Sequence, residues 1–83
     1  MTDAAHFVYV LRCSDDTFYT GYTTDVERRL AEHRCGDGAK YTRGRGPLEL
    51  VHVERHDSRS AAMAREAEIK GFTRDRKERL VEA

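Results

Sequence analysis

The stretch Tyr19-Thr-Gly-Tyr-Thr-Thr-Asp-Val-Glu-Arg-Arg-Leu-Ala-Glu-His33 decides how the rest of the chain reads. It begins as a short strand that stops at Gly21, turns through Thr23 and Thr24, and enters an amphipathic helix. Thr24 stands where an N-cap is needed and Glu27 follows three residues later, the spacing of a capping box. Val26 and Leu30 are four apart and His33 comes at the next turn, so the three share one face. Arg29, three after Val26, lies on the flank of that face. An arginine beside a buried stripe, one short turn after a Tyr-x-Gly, suits a site that handles phosphate.

Working outward, His6-Phe-Val-Tyr-Val-Leu-Arg12 is aromatic and β-branched and reads as a strand. Cys13 to Thr17 carries turn formers, and Phe18 to Tyr22 reads as the return strand of an antiparallel hairpin. If the hairpin loop holds an odd number of residues, positions whose numbers sum to an even value share a face. Tyr9 and Tyr19 then project from the same side; an even loop separates them. The first helix covers about Asp25 to Arg34 and stops at Cys35-Gly-Asp-Gly38. A loop rich in glycine and cations follows, Ala39 to Pro47, and Leu48 to Glu54 reads as a third strand. A second helix runs roughly from Ala61 to Lys70, with N-caps on offer from Asp57 to Ser60 and Gly71 at its end. Thr73 can cap a third, Arg74 to Val81, whose Leu80 and Val81 offer a small apolar face and in which nothing suggests chemistry. The resulting plan is an α+β domain, a sheet covered by helices.

One residue of the second helix is out of place. Ala62, Glu66 and Ile69 are spaced i, i+4, i+7, so Glu66 points into an apolar stripe. Glu68, about 200° further round, faces solvent. A buried carboxylate needs a cation, a metal or a donor network beside it. An ion pair with an arginine, or a partly exposed rim position, accounts for it without any function.

The 83 residues make one domain, 1–83. At 39% hydrophobic and 36% charged the chain is globular and densely charged at its surface, and no apolar run approaches a membrane span. No basic region precedes a hydrophobic one at the N-terminus, so no signal peptide is expected and the location is cytoplasmic. Cys13 and Cys35 are then free thiols. A zinc set drawn from Cys13, Cys35, His33 and His6 fits by ligand type but by no finger or ribbon spacing. Fifteen basic and fifteen acidic residues cancel, which argues against a grip on nucleic acid by bulk charge. Between Arg28 and Gly46, however, six basic residues face two acids, a local basic patch on a neutral body.

Taken in order, these segments resemble the GIY-YIG nuclease family, in particular its small single-domain members. Phe7-Val8-Tyr9 stands in the place of the first family motif and Tyr19-Thr20-Gly21 in that of the second. The likeness continues through Asp25 to His33, Gly38 to Arg43 and Arg65 to Lys70, nearly the whole chain. Phe7 stands at the first motif's glycine and Thr20 at the central position of the second; both changes keep a strand-compatible backbone. The resemblance implies a three-stranded antiparallel sheet flanked by about three helices. It also implies hydrolysis of nucleic-acid phosphodiesters with one divalent ion, Mg2+ or Mn2+. By position Tyr9 and Tyr19 match the motif tyrosines, Arg29 the essential arginine, Glu66 the metal-binding glutamate and His33 a site-lining position.

Chemistry gives each a task. An ionised Glu66 can hold a hard cation, and Arg29 can donate two parallel hydrogen bonds to a phosphate. Tyr9 and Tyr19 share water activation and positioning, and His33 is a second candidate for proton transfer. Lys40, Arg43 and Arg45 suit phosphate contact and Tyr41 stacking on an unpaired base. The expected activity is structure-directed endonuclease cleavage in repair or recombination, with DNA favoured over RNA and no membrane partner. The alternatives are a catalytically weak nucleic-acid-binding module of the same fold and an interaction domain in which these residues merely pack.

Overall fold

The computed structural model describes residues 5–35 and 47–82. Three strands and three helices follow in the order β1 (His6–Arg12), β2 (Phe18–Thr23), α1 (Val26–Arg34), β3 (Glu49–His56), α2 (Arg59–Lys70) and α3 (Arg74–Glu82). The strands form one antiparallel sheet with β1 in the middle, in the order β2-β1-β3.

The β1–β2 loop holds five residues, Cys13 to Thr17, and so meets the odd-number condition. Its turn closes through Cys13 N–H donating to the Thr17 carbonyl at 2.8 Å and Asp16 N–H to the Cys13 carbonyl at 2.9 Å. Asp16 adopts the left-handed region, φ 66°, which its short polar side chain tolerates better than most. Leu11 pairs with Tyr19 and Tyr9 with Gly21, so these four share one face of the sheet. Val8, Val10, Phe18, Thr20 and Tyr22 share the other.

Each face has its own core. On the first, Tyr9, Leu11, Cys13 and Leu48 are buried together, with Tyr19, Leu50 and Leu30 of α1 against them. On the second, Val8, Val10 and Phe18 meet Ala62 and Ile69 of α2, with Phe72, Leu80 and Val81 of the α3 region packed on. Helix α1 therefore covers one face and α2 and α3 the other. Burying Leu11, Val8, Val10 and Ile69 stabilises the fold by about 1.5–3 kcal/mol each. A bulge in β3 between the partners of Val10 (His52) and Leu11 (Leu50) inserts Val51. It lets Leu50 turn to the α1 face while His52, Glu54 and His56 look toward α2.

Several boundaries differ from the sequence reading. Strand β2 does not stop at Gly21 but pairs through Thr23. The α1 N-cap is Asp25, not Thr24: its carboxylate accepts from Arg28 N–H at 3.1 Å. The Thr23 hydroxyl accepts from Asp25 N–H at 3.1 Å and holds Asp25 in the extended conformation a cap needs. That shift places Glu27 in the first turn of the helix and dissolves the capping box. Strand β3 starts at Glu49 and runs to His56, because His6 and Phe7 continue the pairing past Glu54. Helix α2 starts at Arg59, two residues early, with Ser58 capping Ala61 N–H at 3.1 Å. Thr73 caps α3 as expected, accepting from Arg76 N–H at 3.2 Å. Cys13 and Cys35 are free thiols, one buried and one exposed.

Candidate active site

On the α1 face the sheet leaves a gap over Gly21. The Tyr9 ring lies across it, and a Cβ added at Gly21 would overlap the Tyr9 phenol. Tyr9 is only 2% exposed. Its hydroxyl stands 2.7 Å from Nε2 of His33, which is also 2% exposed and comes from the last turn of α1. Tyr19 completes an aromatic triangle: its ring centroid is 5.2 Å from His33 and 6.3 Å from Tyr9. One turn before His33 on α1, the Arg29 guanidinium lies close enough to Tyr9 to work against the rise in its pKa. Its Nη1 also donates to Glu32 Oε1 at 3.1 Å. Tyr9, Tyr19, Arg29 and His33, from three separate elements, thus meet at one place.

The electrostatics of this cluster favour neutral rings beside a fixed cation. Burial pushes the Tyr9 phenol up to about 12, and the hydrogen bond from Arg29 works in the opposite direction. Burial, and then the Arg29 charge, hold the His33 imidazole below its ordinary 6.5. Two neutral groups 2.7 Å apart share one proton, and when the phenol donates, Nε2 accepts. Arg29 stays charged; Tyr9 and Glu32 both favour its cationic form.

Glu66 lies on α2, across the sheet from α1. It is within electrostatic reach of Tyr9 and adds to the upward pressure on the phenol. Its side chain is 15% exposed and pairs with Lys70 at 3.6 Å, whereas Glu68 is 54% exposed and pairs with Arg65. The carboxylate aimed into the apolar stripe therefore has a partner from the next turn, a lysine rather than an arginine. Among the described residues no three histidine, cysteine or acidic side chains gather to hold a metal ion, which removes the zinc set from the described part of the chain. A lone, slightly open carboxylate instead suits a hard ion that keeps most of its waters. Lys40, Tyr41, Arg43 and Arg45 lie outside the described residues.

Two features of the site carried no signal read in the sequence. Glu32, which tethers Arg29, is legible afterwards as an i, i+3 partner on α1. The packing role of Gly21 required the strand register, since only then does Tyr9 fall opposite it.

A family model for the GIY-YIG catalytic domain matches residues 5–79. A UPF0213 protein of Natronomonas pharaonis is 70% identical over 78 residues, covering 94% of this chain and 92% of its own. One from Staphylococcus haemolyticus is 52% identical over 79 residues, covering 95% and 96%. Among solved structures, the solution NMR structure of a UPF0213 protein from Bacillus halodurans is 52% identical with a TM-score of 0.62. That of a protein from E. faecalis is 48% identical with a TM-score of 0.65. Each aligns over 94% of this chain and 83% of its own. No helix among the described residues is long and apolar enough to cross a membrane.

Proposed function

The chain belongs to the GIY-YIG family, a family of nucleases, and from that premise we propose that it is a divalent-metal-dependent endonuclease acting on DNA. Its cleavage is directed by the structure of the substrate and not by its sequence, in repair or recombination. The observation that carries this reading is the buried contact of 2.7 Å between the Tyr9 hydroxyl and His33 Nε2, with Arg29 one helical turn from His33 on the same face.

Each side chain has a part that follows from its surroundings. Tyr9, neutral at pH 7, passes its proton to His33 as its oxygen accepts one from the attacking water. His33, held neutral, is ready to receive it. Arg29, only 32% exposed along its side chain, offers donors to the phosphoryl oxygens, where charge develops. Glu32 keeps that guanidinium pointed while no phosphate is present. Tyr19 lines the same pocket and orients the water. Glu66 would hold Mg2+ or Mn2+, in place of its present pairing with Lys70. When bound, the ion supplies positive charge to the phosphoryl group and lowers the pKa of a water.

The test is a panel of branched, nicked, single-stranded and duplex DNA, with magnesium or with chelator. Wild-type protein should nick in magnesium and not in chelator, a result that removes a purely binding role. Arg29→Ala and Glu66→Ala should lose at least about 100-fold in rate while keeping the wild-type circular dichroism spectrum. Full activity in both variants would discard the mechanism.

A further inference from the structure

Away from the Tyr9 cluster, on the face covered by α2 and α3, lies an open groove of about 710 Å³. Arg65, Phe72, Thr73, Asp75, Arg76 and Arg79 line it. Arg76 stacks on Phe72, its guanidinium carbon 4.1 Å from the ring centroid, and Arg65 approaches the same ring at 5.7 Å. Arg65 is spent: it donates to both oxygens of Glu54 and to Glu68. Arg76 and Arg79 differ. They are three residues apart on one face of α3. Among the described residues neither has a carboxylate within 4 Å, whereas the neighbouring Arg74 is tied to Asp16 and Glu78. The single Asp75 does not balance them.

Two guanidiniums with no carboxylate partner among the described residues, one of them over a phenyl ring, offer donors to phosphates and a plane for a base. The volume is that of a small-molecule pocket, which takes a few unpaired nucleotides and not a duplex. We infer that this groove binds single-stranded nucleic acid, as a second contact separate from the Tyr9 cluster. Arg65 and Glu66 leave α2 about 100° apart, so the groove and the candidate metal-holding carboxylate occupy two flanks of one helix. The inference rests on nucleic acid being the partner, but not on cleavage.

Fluorescently labelled dT12 and rU12 test it by direct titration in chelator across a salt series, so that no cutting enters the measurement. The variant is Arg76→Glu/Arg79→Glu; both side chains are exposed, and circular dichroism checks its fold. The expected result is at least a tenfold loss of affinity, with the slope of log affinity against log salt shallower by about 1.4 for two lost phosphate contacts. A loss with either oligonucleotide supports the groove and tells which sugar it takes. Unchanged affinity and slope for both, or no wild-type binding of either at low salt, overturns it. Absence of cleavage in magnesium alongside a clear loss in the double variant would instead sink the nuclease reading and leave the groove standing.

Discussion

The two faces of the sheet each hold a cluster of half-buried or buried polar groups, and they are built on opposite principles. On the α2 face, Glu54 accepts from Arg65 Nε and Nη2, both at 2.9 Å. His52 and His56 stand 2.8 Å and 3.1 Å from its oxygens. These donors, Arg65 first, hold its carboxyl at about 2, far below the ordinary range. On the α1 face the titratable groups are driven the other way: Tyr9 keeps its proton and His33 refuses one. A carboxylate whose charge is fully matched is chemically idle and holds β3 to α2. A phenol and an imidazole left neutral, in contact and beside a cation, retain a proton that can move. The contrast predicts that damage to the first cluster appears as lost stability and damage to the second as lost rate.

The sharpest way to break that division is at Gly21. A methyl group there must displace the Tyr9 phenol, and through it the contact with His33. Gly21→Ala should lower the single-turnover rate by at least about 100-fold, the scale of a small misplacement at a reacting centre. The overpacking should also remove about 1–3 kcal/mol from the urea stability. Wild-type rates in this variant would mean that the position of Tyr9 does not matter.

His33 comes next. His33→Gln should slow cleavage about 100-fold at pH 7.5, within the usual range for a proton acceptor. The sign of the pH effect follows from its lowered pKa. As pH falls, wild-type activity should decline with a midpoint below 6.5, because a protonated Nε2 has no lone pair for the Tyr9 proton. The variant should lack that limb; an identical limb in both would assign it to another group.

Glu54 tests the other face. Its folded pKa is depressed, so its contribution to stability is present above the unfolded value of 4.5 and is lost as pH falls toward about 2. Discounted for its 20% side-chain exposure, that contribution is about 2 kcal/mol. Urea titrations of wild type and Glu54→Gln should differ by this amount at pH 6 and converge near pH 2. Cleavage by Glu54→Gln well below its melting temperature should stay within about threefold of wild type. A hundredfold loss with stability intact would show that the two faces are not separate.

How much of this was legible follows from which signals are local. Hairpin, helices and their order come from alternation, glycine and polar caps, all of which act over a few residues. The pairing of Tyr9 and Tyr19 on one face followed from loop parity, and Glu66 stood out by spacing on its own helix. The Asp25 cap escaped because the Thr23 hydroxyl, by accepting from Asp25 N–H, sets Asp25 and not Thr24 as the residue before the first turn, a contact no spacing announces. The bulge at Val51 escaped because alternation across it gives no sign of an inserted residue. The Glu54 cluster and the α3 groove required knowing which strand and which helix face one another, which no local pattern carries. Helix α3, in which the sequence suggests no chemistry, presents beside Phe72 two arginines with no carboxylate partner among the described residues once α2 packs next to it.

Thr20 gives the smallest effect and the finest cut between the faces. It sits in β2 between Tyr19 and Gly21, but its side chain points to the α2 face, opposite Val10. It is 4% exposed, and its hydroxyl has no hydrogen-bond partner among the described residues. A buried hydroxyl without a partner is a standing penalty, and valine fills nearly the same shape. Thr20→Val should therefore stabilise the protein by about 1 kcal/mol, read as a higher urea midpoint at unchanged slope. Because its neighbours on the chain face the other way, cleavage should stay within about twofold. A rate that moves with Thr20 would mean the strand transmits packing changes from one face to the other, and the division between a holding face and a reacting face would have to be redrawn along β2.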